Sequence, residues 1–584
     1  GWSESHHRNP IQTTLTMDYN CTAATSGTGS VAGCPGGVAG GAGSAASPYM
    51  FDYSGDGKTP AISYGNVDVT SPSGWFLSQI RERAEYDFNS YRTAQIDGEW
   101  DPMSGIKVQA GFDWKNYGYS TADLRRSNGS TANLDSFIPT AIETASLSTF
   151  TQLVTIRGLP VPAGTPATWL VPSISKANAL FNIFDPTAFN TIWPAAKAPA
   201  PCSTTGCGAF QLGPEPALSA NGSVHETDTG GWIQVGWDET FYGVPFRGDI
   251  GGRYVETSST ATGFSFDPTV LAVVPTTVSQ NYHDFLPSLN MVVEPTDTFL
   301  IRFNASQVMA RPDLTNLLPG ATVTKSGTNP LSIKIGNPFL KPFRAKTADL
   351  SFEWYYHKGA LLSFAFFYKH IDDLVTSLNQ NIPYAGNPFG LPDSLALAAC
   401  GGTFTAACNT ANIATFTEPT NQTGAPLYGL EINWQQPFDF LPDPFSNFGF
   451  LANTTFVQAT QTYFLNAAGT QFINGDLTNL SRTSANATLY YDDQVFQARL
   501  TGAFRSKYIT SVNPGSLNDF LFNAPTFNLD ASASYKFDDN FTVTFDGLNL
   551  TNQYQYQYYD SVGQRLSYNH QTGSEFFVGL RYNY

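Results

Sequence analysis

No stretch of this 584-residue chain reaches the roughly 18 to 20 consecutive apolar residues that a membrane-crossing helix needs. The richest run, Leu361-Leu362-Ser363-Phe364-Ala365-Phe366-Phe367-Tyr368, is short and already holds a polar residue. Charge is scarce, with 13% of residues charged, and positive charge is scarcer: 30 Lys and Arg stand against 47 Asp and Glu, a net charge of −17. Phosphate contacts call for a concentrated basic surface, and these cations are dispersed, so nucleic-acid binding is excluded as a reading. The first residue is Gly1, with no initiator Met and no cationic, apolar leader, which fits processing or truncation of what came before.

Histidine and cysteine are also sparse, and each scarcity narrows the chemistry. Only seven His occur, His6, His7, His225, His283, His357, His370 and His570, and none accompanies a recognisable nucleophile motif, so no enzyme and no catalytic residue is expected. His6 and His7 are adjacent, and neighbours in a strand point to opposite faces, which argues against a shared metal. Asp52 and Asp56, beside Gly55 and Gly57, lack the regular ligand spacing of a calcium loop and read as a turn. No metal and no cofactor is expected. The six Cys fall into three close pairs, Cys21 with Cys34, Cys202 with Cys207 and Cys400 with Cys408, each in a stretch rich in small residues. No pair has a neighbouring His, so local disulfides in an oxidising compartment explain them better than zinc.

What is abundant is strand and turn material: 14% aromatic residues, 51 Gly and 37 Pro. Alternation of period two recurs throughout. Thr93, Gln95, Asp97 and Glu99 alternate with Ala94, Ile96, Gly98 and Trp100; Phe299, Ile301, Phe303 and Ala305 with Leu300, Arg302, Asn304 and Ser306; Phe541, Val543 and Phe545 with Thr542, Thr544 and Asp546. Connections then separate a sandwich from a barrel. Short ones at residues 101–105, 243–245, 295–296, 357–359, 439–446, 492–493 and 538–540 alternate strictly with long ones near 20–85, 121–229, 259–281, 310–346, 371–426, 463–482, 509–525 and 550–573. A transmembrane barrel sorts its connections this way, with tight periplasmic turns and elaborate outer loops. The reading is therefore all-β, a transmembrane antiparallel barrel with about sixteen strands, from near residue 10 to a last strand at 574–584. Trp100, Tyr242, Tyr356 and Tyr535 near the short turns suit an aromatic girdle.

Several segments resemble the TonB-dependent receptors of the bacterial outer membrane, in particular a large proteobacterial subgroup. They are Tyr282-His283-Asp284-Phe285-Leu286-Pro287-Ser288-Leu289-Asn290, Ala310-Arg311-Pro312-Asp313-Leu314, Gly336-Asn337-Pro338-Phe339-Leu340-Lys341-Pro342, residues 428–438, and Asp546-Gly547-Leu548-Asn549-Leu550-Thr551-Asn552. The resemblance implies a 22-stranded barrel filled by an N-terminal plug, so residues 1–584 are expected to be barrel domain alone, its last sixteen strands, with plug and first strands lying elsewhere. It also implies the function: a scarce external nutrient, an oligosaccharide before a ferric siderophore, is bound and imported with energy from TonB acting through the plug. Outer-membrane lipid, the nutrient, TonB, and a surface lipoprotein or a second chain that completes the barrel are the expected partners. The alternative is a passive sixteen-stranded porin or a structural barrel, which the strand count favours and the great length of the 121–229 connection opposes.

Ligand candidates are loop aromatics, whose faces stack on sugars or catecholates: Tyr49, Phe51, Tyr53 and Trp75 in the first loop, and Tyr554, Tyr556, Tyr558 and Tyr559 in the last. Packing of these rings on one another is the competing reading, and the alternation in residues 552–559 also fits a strand extension. For Arg311, pairing with a carboxylate at a strand end is expected before a ligand role.

Overall fold

A computed structural model describes residues 1–19, 50–55, 59–65, 67–126, 135, 138–143, 145–157, 161–188, 210–214, 221–267, 272–324, 331–387, 391, 393, 396, 412–465, 469–512, 519–559 and 561–583. Alternating sequence and tight turns produce sixteen long strands, each paired antiparallel with the next along the chain. They are β1 (Trp2–Tyr19), β2 (Trp75–Met103), β3 (Ile106–Arg126), β4 (Gly222–Phe241), β5 (Val244–Asp267), β6 (Ala272–Thr296), β7 (Phe299–Ala310) and β8 (Phe343–His357). The series continues with β9 (Ala360–Pro383), β10 (Pro426–Pro437), β11 (Phe448–Ala459), β12 (Thr483–Asp492), β13 (Phe496–Arg505), β14 (Thr526–Lys536), β15 (Phe541–Leu548) and β16 (Glu575–Tyr582). The count of sixteen agrees with the sequence reading. β1 and β16 each pair on one side only, and no ladder joins them among the described residues.

The seven short connections fall where expected to within a few residues. Tyr242 and Gly243 both have positive φ, the pairing that a two-residue hairpin turn requires, and this turn precedes the predicted one at 243–245. Several long connections are shorter than expected because strands run on past the membrane zone. The clearest correction is at 259–281, expected as loop: β5 and β6 remain in register from Phe246↔Val293 to Asp267↔Ala272, leaving only four residues between them. Runs such as Thr257-Ser258-Ser259-Thr260 are polar on both faces, so they carry no apolar period to mark them, yet β-branched Thr suits a ladder.

Alternation sorts side chains between two environments. Ile96, Trp100, Ile233, Phe241, Ile250, Tyr254, Trp354, Phe366 and Phe545 are exposed on the outer face. Their opposite-parity neighbours bond to one another on the inner face: Arg302 Nε donates to Glu353 (2.8 Å), Asn304 to Asn290 (2.6 Å), Asn290 to Asp249 (2.9 Å), and Ser306 lies 2.8 Å from Thr347. An apolar exterior around a polar interior is what lipid outside and water inside select. Near the short turns Phe241 and Tyr242, Trp354 and Tyr356, and Tyr535 and Phe537 pack as ring pairs, with Trp100 beside them in the sequence pattern of the girdle.

At the other end the long connections build small sheets and short helices. Residues 138–188 contain helices Thr140–Glu143 and Ile174–Phe181 and a hairpin of Thr151–Thr155 with Thr168–Pro172. Ile138, Ile142, Phe150, Ala177, Ile183 and Phe210 pack on Leu77 and Ile80 of β2, which makes this the largest described apolar cluster on that loop. Under it Arg126 is fully buried, donating to the Ile80 carbonyl (2.6 Å) with its guanidinium 5.0 Å from the Phe210 ring. Glu82 is buried alongside, beyond the membrane zone, and burial pushes its carboxyl up to about 8 although Arg126 opposes the shift.

Candidate functional site at the long-loop end

The last two long connections together form a small sheet of Tyr508–Val512, Phe520–Asn523, Tyr554–Tyr559 and Arg565–Gln571. Alternation within Tyr554–Tyr559 turns Tyr558 and Tyr556 to one side, where they pack with Ile509, Phe520 and Phe522. The Tyr558 ring is 4% exposed and stacks on Phe522 at 5.2 Å. These two candidates therefore pack against the neighbouring connection; residues 554–559 are a strand, but one that belongs to this separate small sheet and does not extend β15, which ends at Leu548. Tyr554 and Tyr559 are half-buried.

In the first loop, Phe51 lies on a hairpin of Met50–Asp52 with Ala61–Ser63 and is 53% exposed. Tyr53 follows it, and the Arg565 guanidinium lies 5.7 Å from its ring centre. Arg565 is itself the cross-strand partner of Tyr559. The first and last connections thus meet at Tyr53 and Arg565, with Tyr559 across the strand pair from Arg565 and Phe51 two residues before Tyr53. Arg565 was not singled out in the sequence, because a lone Arg in a loop carries no local signal. Trp75 does other work: it packs edge-on against Tyr19 at 5.3 Å and its Nε1 donates to the Asp68 carbonyl (3.5 Å), closing the ends of β1 and β2. Tyr49 and the six cysteines lie outside the described residues, as does Asp56; Asp52 accepts from the Ser54 amide (2.8 Å), a turn as expected.

The inner wall carries a second set of functional groups. Asp113 of β3 pairs with Arg253 of β5 and lies 3.6 Å from the Lys115 ammonium. Asp284, inside the Tyr282–Asn290 segment, takes Arg344 through Nε (2.5 Å) and Nη2 (3.2 Å), while Arg344 Nη1 reaches Asp373 (3.2 Å). Arg311 binds two carboxylates, Glu226 (2.9 Å) and Asp228 (2.6 Å), which bears out the structural role expected for it. The Asp546–Asn552 segment is the end of β15 and the turn after it: Asn549 has positive φ, its amide donates to Asp530 (2.7 Å), and its side chain accepts from the Gln553 amide (2.7 Å). His6 and His7 face opposite ways, His6 packing against Phe88 with ring centres 4.7 Å apart and His7 lying 3.6 Å from Asp87. Among the described residues no group of His, Cys, Asp and Glu is arranged to hold a metal.

This sixteen-strand meander with a polar inner wall matches the model of the TonB-dependent receptor-like β-barrel over residues 37–550. The chain belongs to that family. No curated protein matches the chain. Among solved structures, the copper transporter OprC is similar at 11% identity and a TM-score of 0.47, over 86% of this chain and 57% of its own. The siderophore receptor PiuA of Acinetobacter baumannii aligns at 11% identity and 0.44, covering 86% and 56%. The ferric yersiniabactin uptake receptor FyuA of Yersinia pestis aligns at 8% and 0.43, covering 87% and 56%. The receptor chain thus spans a little over half the length of these proteins.

Proposed function

We propose that this chain forms the wall of an importer that binds a scarce nutrient at its long-loop end and passes it along the polar lumen, with TonB supplying energy through a plug. The long loops face the cell exterior, where disulfides Cys21–Cys34, Cys202–Cys207 and Cys400–Cys408 staple them. The observation that carries the binding site is the meeting of Tyr53 with Arg565, the cross-strand partner of Tyr559; Phe51, two residues before Tyr53, adds an exposed aromatic face in this reading. Aromatic faces with one hydrogen-bonding cation suit an oligosaccharide, and a net charge of −17 repels anionic ferric chelates, which favours a neutral ligand. A ferric siderophore is the second choice.

The edges of β1 and β16 call for a partner, since unpaired strand edges are unfavourable in lipid. β1 runs toward the long-loop end and β16 away from it, so an even number of antiparallel strands fits between them. Further strands of the same polypeptide, or a second chain, supply that number in this reading. The strand count alone suits a porin, and that remains the rival.

Binding of a neutral oligosaccharide and of a ferric catecholate to the purified full-length receptor, read by tyrosine and tryptophan fluorescence, tests the assignment. Phe51→Ala and Tyr559→Ala should each weaken oligosaccharide binding by about threefold to tenfold, the worth of one aromatic stack. Tyr558→Ala should instead destabilise the loop sheet. Unchanged affinity in both of the first two variants would remove the site from where it is placed.

A further inference from the structure

Residues 311–320, which follow β7, and residues 336–342, which precede β8, lie side by side: the Asn337 amide donates to the Asn316 carbonyl (2.7 Å). The β4–β5 ladder runs without a bulge from Val244↔Phe241 to Gly263↔Gly222, so alternation assigns faces along its whole length. Ile233 and Phe241 of β4, and Ile250 and Tyr254 of β5, lie exposed on the outer face. By parity Val224, Glu226 and Asp228, and Thr257, Ser259 and Ala261, point into the lumen.

Both stretches pack on those inner residues. Leu317, Leu318 and Leu340 share one buried cluster with Val224 and Ala261, and none of the five is more than 2% exposed. A Cβ at Gly263 would stand 2.6 Å from the Gly320 amide nitrogen, so the backbone approach there needs glycine. From β6, Gln280 donates to the Leu340 carbonyl (3.1 Å). Both roots are fixed by charge. At one, Arg311 reaches Glu226 and Asp228, each carboxylate 2% exposed, and Asp228 also accepts from the Thr257 hydroxyl (2.7 Å). At the other, Arg344 binds Asp284 and Asp373, and just before it the Lys341 backbone amide donates to the Asn421 side chain (2.9 Å) while its carbonyl accepts from it (3.0 Å).

We propose that residues 311–320 and 336–342 form a collar seated on the inner wall that narrows the lumen at the long-loop end, and that Arg311 is the positioning residue that holds it there. Anything that travels along this side of the bore passes the collar, so its seat helps to set the size that is admitted. The inference rests on strand register and packing and holds for an importer and a porin alike. Its weak point is also its handle: removing the guanidinium leaves two buried carboxylates without their cation, which drives the collar off the wall.

The test uses the full-length protein in isolated outer membranes, with a membrane-impermeant maleimide and the substitution L317C; protein without L317C gives the background from other thiols. With Arg311 present, labelling at position 317 is slow. Adding R311Q, or separately E226Q with D228N, should speed it about tenfold or more, because local opening is then easier. R311K, which keeps a cation, should restore much of the protection. Each barrel is first shown to be folded by its heat-modifiable mobility, so a variant that fails to assemble is replaced by the other. Fast labelling with Arg311 intact, or unchanged slow labelling in both release variants, overturns the proposal.

Discussion

Removing Arg344 should cost this barrel more than any single exposed ion pair. Its guanidinium joins three strands on the inner wall: it sits at the start of β8, binds Asp284 of β6 through two nitrogens and reaches Asp373 of β9. Asp284 is the decisive partner, since its side chain is only 4% exposed, whereas Arg344 and Asp373 are 20% and 27% exposed. Breaking a fully buried pair typically costs about 3 to 5 kcal/mol because a charge is left uncompensated. Partial exposure of two of the three members lowers that, so Arg344→Ala should lose about 2 to 3 kcal/mol. Reversible urea unfolding from liposomes provides the assay, with Asp284→Asn and the double variant completing a cycle. If the burden is the stranded Asp284 charge, the double variant should recover much of the loss and show a coupling of about 1 kcal/mol or more. Strict additivity of the two substitutions, or a loss below about 0.5 kcal/mol for Arg344→Ala, would refute the reasoning.

Two further outcomes follow from the faces and the burial. Ile96→Arg places a charge on the outer face, where Ile96 is 72% exposed, and should destabilise by about 2 to 4 kcal/mol in a bilayer, while Gln95→Arg on the inner face should cost far less. Equal penalties in liposome unfolding would mean that the faces are misassigned. Glu82 has its folded value raised to about 8 from an ordinary 4.5, so the folded state holds the proton more tightly. Its contribution to stability is complete below pH 4.5 and is lost as pH rises through 8. Glu82→Gln should flatten that fall, read as protease resistance of the 138–188 connection between pH 5 and 9; a fall of the same size in the variant would assign it to another group.

The membrane-facing part of this protein was legible because one rule governs it. Ile96 against Gln95, or Phe303 against Arg302, alternate every second residue, since lipid and water lie on opposite sides of one strand. Turns such as Tyr242-Gly243 and Lys358-Gly359 punctuate that pattern, which is why sixteen strands could be counted. Past the membrane both faces meet water or other loops, and the period fades. Residues 259–267 and 272–281 therefore read as loop although they are ladder, and the helix Ile174–Phe181 gave no signal because apolar residues flank it on both sides and blur its period. The ligand candidates were chosen by composition, and composition could not tell Tyr558, stacked in a core, from Tyr559, its neighbour on the other side of the strand. The contacts that define the candidate site and the collar are longer-range still. Tyr53 meets Arg565, and Arg311 meets Glu226, only after the sheet has curled, so no local spacing announces either.

The most direct test of the importer is uptake of a fluorescently labelled oligosaccharide series by cells producing the complete protein, compared with and without a functional TonB. The account predicts that uptake saturates at low concentration and disappears when TonB is removed. Uptake that rises linearly with concentration and is indifferent to TonB would contradict it and leave a passive pore.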